Sequence, residues 1–129
     1  MKKQVIIIIA IIILIIIGHL ITQKYTKNFF DEISMELQKI EDKILKGDSN
    51  GDSLKNDIKI VQDKWDEKYD VCACYIEHDE LEKVQTQLVG MKANIETEEY
   101  DKCVEKIESC KFILKHIEDK DSFELVNIF

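Results

Sequence analysis

A short charged run, Glu77–Glu80, interrupts the apolar pattern of the chain and contains one of its three histidines. His78 and Glu82 are four positions apart and would lie on one face of a helix. The antiparallel folding predicted below places His116 roughly opposite residue 75. Two imidazoles and a carboxylate could hold a divalent cation. The di-iron pattern Glu-x-x-His and the zinc pattern His-Glu-x-x-His are absent from the sequence. We therefore assign no metal, and keep His78, Glu82 and His116 only as candidates beside the alternative of solvated charge at a helix crossing.

The four cysteines do not form a pattern that binds metal. Cys72 and Cys74 are two residues apart, hence about 200° apart around a helix, and cannot share one ion. Cys103 and Cys110 are about 10 Å apart along a helix axis, which is too far for a disulfide. The predicted register also offsets Cys72 from Cys110. We expect these side chains to be small buried hydrophobes.

The segment Asp48–Asp52 contains Asp, Asn and Gly residues and briefly resembles a calcium loop. An EF-hand needs Gly at its sixth position and Glu at its twelfth, where this chain has Ser53 and Lys59. A solvated turn explains the segment better. Nothing in the sequence places a nucleophile beside a base, so we predict neither an enzyme nor a cofactor.

The charge of the 129-residue chain is unevenly distributed. Residues 1–30 carry four lysines and no acid, whereas the rest has 14 lysines against 26 acids, a net charge of −12. A polyanionic domain repels nucleic acid, so we exclude DNA or RNA as a partner.

The apolar segment Val5–Ile21 contains eleven isoleucines in seventeen residues. Lys3 to Lys24 would span about 31 Å as a helix, close to the thickness of about 30 Å of the hydrocarbon core of a bilayer. A cleaved signal peptide is the alternative, but the run is long and Gly18–Leu20 is a poor cleavage site. We predict a single uncleaved transmembrane helix that contacts lipid through residues 4–23. The short lysine-bearing N-terminus favours a cytoplasmic tail and an extracytoplasmic C-terminal domain at the cell membrane.

The remaining residues show three amphipathic stripes and no proline. They predict an all-α protein: a transmembrane anchor with a hinge at residues 1–27, then an acidic domain at 28–129. That domain would be an antiparallel three-helix bundle or helical hairpin, with helices at about 28–46, 53–93 and 98–119 and an apolar tail at 122–129. Short connections imply antiparallel neighbours.

The turns define two registers. Folding at 47–53 pairs residues whose numbers sum to about 99, which places Trp65 beside Ile33. Folding at 94–97 gives a sum of about 191.

A helix running straight from the anchor into the domain would drive the charged run after residue 74 into lipid, which is costly. The chain must bend there or near Asn28. We predict a joint at Lys24–Asn28, because Thr22, Thr26 and Asn28 are poor helix formers and no glycine or proline lies near residue 74.

Several short stretches resemble one family, called domain of unknown function 4363: Trp65, Ile76–Leu81, Ile117–Glu118 and Asn127–Phe129. The resemblance covers nearly the whole chain and implies a small, exported, membrane-anchored helical protein of spore-forming Gram-positive bacteria. It implies no activity and no ligand. The tail at 122–129 fits as a segment that closes the bundle.

These observations predict a membrane-anchored structural or interaction module with a protein partner. The alternative is an extracytoplasmic cation- or ligand-sensing domain that acts through another protein.

Overall fold

The computed structural model describes residues 1–47 and 50–128, with side chains as far as Asp121. This part of the chain contains four α-helices and no strand: α1 is Lys2–Leu45, α2 is Gly51–Ala73, α3 is His78–Glu96, and α4 is Tyr100–Ile128. The all-α prediction is confirmed. The predicted count of three helices in the domain is wrong, because the second predicted helix is two helices.

The helices form an up-down-up-down bundle. Each packs against its neighbours in sequence, and α4 returns to pack against α1, while in the described part of the chain no Cα atoms of the diagonal pairs lie within 8 Å of each other. Cross-helix bonds show the antiparallel directions: Lys64 Nζ to Glu32 at 2.9 Å, Gln62 to the carbonyl of Leu88 at 3.5 Å, and Lys111 Nζ to Gln38 at 2.6 Å. Only the C-terminal half of α1 belongs to the bundle.

The break between α2 and α3 corrects the predicted helix at 53–93. The core stripe steps by four from Cys72 to Ile76 and then by five to Leu81, which does not suit a continuous helix. The chain reverses at 74–77, and α3 begins with Asp79 and Glu80 in its first turn. Acidic side chains stabilise the positive end of a helix dipole. The charged run is therefore a helix start.

The predicted joint at Lys24–Asn28 is also wrong, since α1 is one helix across it and across the predicted domain boundary at residue 27. Because the chain reverses at 74–77, the charged run turns back into the bundle and does not extend along the apolar segment, so no bend in α1 is needed. The hydroxyl of Thr22 donates to the carbonyl of His19 at 2.9 Å, and Thr26 is buried against the bundle. Packing thus outweighs the low helix propensity of these residues.

The fourth helix extends further than predicted. It does not end at residues 119–121 but continues to Ile128. The contacts predicted for the tail at 122–129 lie outside the described side chains, and Phe129 lies outside the described residues.

The register predicted between α1 and α2 is close to the observed one, but Trp65 does not lie beside its predicted neighbour. Lys43 Nζ lies 3.1 Å from the hydroxyl of Ser53 and Lys64 Nζ lies 3.6 Å from Glu36, which correspond to sums of 96 and 100. The ring of Trp65 lies 5.7 Å from that of Phe29 and 6.1 Å from that of Phe30 between centroids, about one helical turn from Ile33. In the other pair of helices, Lys120 bonds to Glu77 at 3.1 Å, so the sum is 197 and not 191. The turn lies later than expected because α3 continues to Glu96 and Glu98 adopts a φ of 58° in the turn.

Candidate functional site

The three candidate metal ligands do not come together. His78 Nε2 lies 2.9 Å from Glu82 Oε1, so the predicted pairing along one face is present, and His78 Nδ1 also lies 3.2 Å from the hydroxyl of Tyr69. His116 is exposed on α4 and stacks on Phe112. No group of three or more His, Cys, Asp or Glu side chains in the described part of the chain could hold a metal ion.

The cysteines behave as the sequence predicted for three of the four. Cys72, Cys103 and Cys110 are buried, and Cys74 is exposed in the turn between α2 and α3. Burial raises the pKa of the Cys103 thiol to about 11 and that of Cys110 to about 12. Because the thiolate is the nucleophile, these side chains are poorly reactive.

The end of the bundle that carries the turn at 74–77, here called the proximal end, lies next to the apolar segment. The hydroxyls of Thr26 and Tyr75 are hydrogen-bonded at 2.7 Å and connect α1 to this turn. Lys68 Nζ lies 5.1 Å from the ring centroid of Tyr25, a cation–π contact at the same level. The turn is therefore held about two residues above Lys24.

Helices α1 and α4 form two carboxylate pairs, and in each pair a carboxylate of α1 faces a carboxylate of α4. The two pairs are ten residues apart along each helix. The pair further from the apolar segment is Glu41 with Glu108. Lys111 Nζ lies 3.1 Å from Glu41 and 2.8 Å from Glu108, and so bridges the two. Burial raises the pKa of Glu41, whereas the hydrogen bond from Lys111 lowers the pKa of Glu108. The lysine compensates the repulsion of this pair.

The pair nearer the proximal end is Asp31 with Glu118. Among the described residues no lysine bridges it, and Lys115 is paired with Asp119 at 3.1 Å. Burial, together with the facing charge of Asp31, raises the pKa of Glu118 to about 7. A cavity of about 200 Å³ lies beside this pair, lined by Gln23, Thr26, Lys27, Lys115, Glu118, Asp119 and Asp121. Glu118 can therefore gain or lose a proton near neutral pH.

Sequence reasoning missed Asp31 and Glu118. Their pairing requires α4 to pack against α1, whereas the three-helix arrangement predicted contact between those helices only at the tail. No sequence spacing pointed to this pair, because the contact between α1 and α4 follows from the topology of the bundle.

The segment Val5–Ile21 lies beyond the bundle as the first half of α1. It is long and apolar enough to cross a membrane, and its most apolar window is not buried by any other part of the structure. That finding rests on length and composition alone, and a signal sequence would meet the same test.

Together these features define a class: an acidic four-helix bundle whose first helix extends outward as an exposed aliphatic rod. The model of one protein family, described as Domain of unknown function (DUF4363), matches residues 20–128. The chain belongs to this family, as its short motifs suggested. No curated protein and no solved structure matches it.

Proposed function

We propose that this chain is a single-pass membrane protein whose bundle is held on the extracytoplasmic surface as a non-enzymatic interaction module. The apolar segment is the anchor, with residues 4–23 in contact with lipid, and the partner of the bundle is a protein. The observation that carries the proposal is the exposure of Val5–Ile21 in a helix that continues directly into the core.

Energetics support the anchor. Each branched aliphatic residue near the bilayer centre favours insertion by about 0.3–0.6 kcal/mol, and the segment contains fourteen of them. In water the same side chains would remain exposed, which is the reverse of what folding favours. Lys3 and Lys24 stand at the two ends, where their ammonium groups can reach the interfaces.

A continuous α1 gives the proposed anchor a mechanical role. The helix that enters lipid is the same helix that places Phe30, Ile33 and Leu37 in the core. The bundle is therefore held end-on, with its proximal end at the membrane and the turn between α1 and α2 furthest from it. A partner would meet the sides of the bundle, where the charge is mostly acidic.

A role without catalysis is supported by the chemistry of the thiols, since burial raises the pKa of Cys72, Cys103 and Cys110 and suppresses their thiolates. Nucleic acid is an unsuitable partner for a domain with a net charge of −12, because phosphates would be repelled.

Membrane fractionation tests the anchor. We expect the full chain to remain in membranes after an alkaline carbonate wash, with an intact mass that includes Val5–Ile21. The double variant Ile9→Lys/Ile13→Lys should be released, whereas Ile60→Lys/Val71→Lys, two exposed aliphatic positions on the bundle, should be retained. Recovery of a soluble wild-type chain that begins after Ile21 would show a cleaved signal peptide and defeat the proposal.

The orientation is tested through Cys74, the exposed thiol. A maleimide that cannot cross membranes should modify Cys74 in intact cells, and Cys74→Ser should abolish the modification. Modification only after lysis would place the bundle in the cytoplasm.

The sensing alternative has one observation in its favour, the bond of 2.9 Å between His78 and Glu82. A ligand selective for the folded state raises the midpoint of thermal unfolding. A rise with Zn²⁺ that disappears in His78→Ala would favour this function, and an equal rise in both proteins would indicate diffuse binding to acidic side chains.

A further inference from the structure

The axial level of each helix relative to the apolar segment follows from the continuity of α1. The turn at 74–77 lies at the level of Thr26, because the hydroxyl of Tyr75 bonds to the hydroxyl of Thr26. In the described part of the chain, α2 and α3 therefore end just above Lys24. Helix α4 does not end there, since its backbone is helical to Ile128.

The contacts between α1 and α4 show how far α4 descends. Lys111 bonds to Gln38 and Glu41, and Glu118 faces Asp31. Ten residues separate Asp31 from Ile21, and ten separate Glu118 from Ile128. Both helices rise by about 1.5 Å per residue, so α4 ends about level with the last residue of the apolar segment.

The composition of α4 changes at this depth. The eight residues 114–121 include five charged side chains and one histidine, whereas residues 122–128 include one charged residue, Glu124. Glu124 comes early in this stretch, about level with the lysines that end the apolar segment. Helices α1 and α4 thus change from charged to apolar at nearly the same height.

The apolar residues of this last stretch are spread around the helix. Phe123, Leu125, Val126 and Ile128 follow one another at about 200°, 100° and 200° around the axis. The polar residues Ser122, Glu124 and Asn127 lie between them, so the apolar residues of this stretch are not confined to one face of the helix. Below the turn at 74–77 only α1 accompanies α4 in the described structure, and one helix can cover only one side of another.

The exposure of α1 supports this arrangement. In the segment Val5–Ile21 only Ile16 and His19 are half-buried, and every other residue is exposed. With Gln23 and Thr26 they continue, in steps of three and four, the stripe that faces the bundle. Helix α4 reaches only to about the level of Ile21, so nearly every residue of the apolar segment beyond it is open to its surroundings.

We propose that residues 122–128, the last two turns of α4, lie at the boundary between lipid headgroups and acyl chains as a second membrane contact. The proposal rests on the membrane anchor proposed above. Its occupant is the bilayer itself. Tyr25, half-buried at the same level, is a residue type that favours this interface. Two contacts on neighbouring helices fix the tilt of the bundle, which a single transmembrane helix leaves free.

Photo-crosslinking of the full chain in lipid nanodiscs tests the proposal. The photoreactive amino acid p-benzoylphenylalanine replaces Phe123 or Ile128 in the tail, Phe112 on the same helix as a control, and Ile11 in the apolar segment. Phe112 suits the control because its side chain is 73% exposed and lies about 16 Å further from the membrane than Phe123. Folding of each variant is checked by the emission of the single tryptophan, Trp65.

We expect lipid adducts from the probes at Phe123, Ile128 and Ile11, and none from the probe at Phe112. Adducts from both tail positions only with peptides of the protein would show that the tail closes the bundle, and would overturn the inference. Lipid adducts from Phe112 would overturn it as well, because the bundle would then lie on its side. A probe at Ile11 without lipid adducts would defeat the anchor, whereas lipid at Ile11 with none at the tail would defeat only this second contact. If the Phe123 variant fails to fold, the probe at Ile128, at the helix end, decides.

Discussion

Replacement of Glu118 by glutamine should stabilise the bundle at alkaline pH. The carboxyl of Glu118 has its pKa raised to about 7 by burial and by the facing Asp31, whereas an unfolded chain would titrate near the ordinary value of 4.5. Below about pH 4.5 this carboxyl is protonated in both states and its ionisation does not affect stability. As the pH rises towards 7 the unfolded chain loses its proton first, so the folded state loses stability, and above pH 7 the full cost is present.

The size of the effect follows from the two pKa values. A difference of one pKa unit corresponds to about 1.4 kcal/mol, so the values of about 7 and 4.5 give an upper limit of about 3 kcal/mol. Glu118 is only half-buried, and solvent screening reduces this to about 1–2 kcal/mol. Glu118→Gln removes the charge and retains a group that can hydrogen-bond to Asp31. We expect a gain of that size at pH 8 and almost none at pH 4.5.

The assay is urea unfolding of the full chain in mild detergent, followed by the fluorescence of Trp65. This residue is the only tryptophan and is 1% exposed, so its emission reports on the bundle and not on the apolar segment. Glu108→Gln is the matched control, because the hydrogen bond from Lys111 lowers the pKa of Glu108 and its charge is favourable. It should stabilise the bundle at neither pH. Equal stabilisation by Glu118→Gln at both pH values, or destabilisation at pH 8, would refute the reasoning.

Two further predictions concern polar contacts and thiols. Tyr75→Phe removes the partner of the buried Thr26 hydroxyl and should lower the free energy of unfolding in urea by about 1–3 kcal/mol. Tyr69→Phe removes an exposed bond to His78 and should lower it by less than about 0.5 kcal/mol. Equal losses in the two variants would contradict the structure. In the folded protein at pH 8 a thiol reagent should modify Cys74 rapidly and the other three cysteines only after urea is added. The reason is that burial raises the pKa of Cys103 to about 11 and that of Cys110 to about 12. Rapid modification of two or more thiols would show an open core.

The parts of the fold that follow from local pattern were predictable. The aliphatic run, the stripes of the helices and the contact of Trp65 with α1 all depend on spacing along one helix or on one short turn. The break at 74–77 was not predicted, because it contains neither glycine nor proline. Its signal was the step of five from Ile76 to Leu81, followed by acidic residues suited to a helix start.

The missed break at 74–77 led to the wrong joint at Lys24–Asn28 and to the wrong count of three helices. A bend was required either near Asn28 or in the second predicted helix, and the absence of a breaker in the latter favoured the former. The reversal after Cys74 adds a helix to the bundle and brings α4 along the whole bundle half of α1. Contacts such as Asp31 with Glu118 depend on that topology, and stripe spacing does not reveal which helices are neighbours.

The central claim is that one unbroken helix runs from lipid into the core of the bundle. Spin labels at Leu20 and Met35, both exposed and on nearly the same face of α1, measure this directly in nanodiscs in a Cys74→Ser background. Fifteen residues at about 1.5 Å each predict a narrow distance distribution near 22 Å. A broad distribution, or one centred well below that value, would show a joint between the apolar segment and the bundle and would contradict the account.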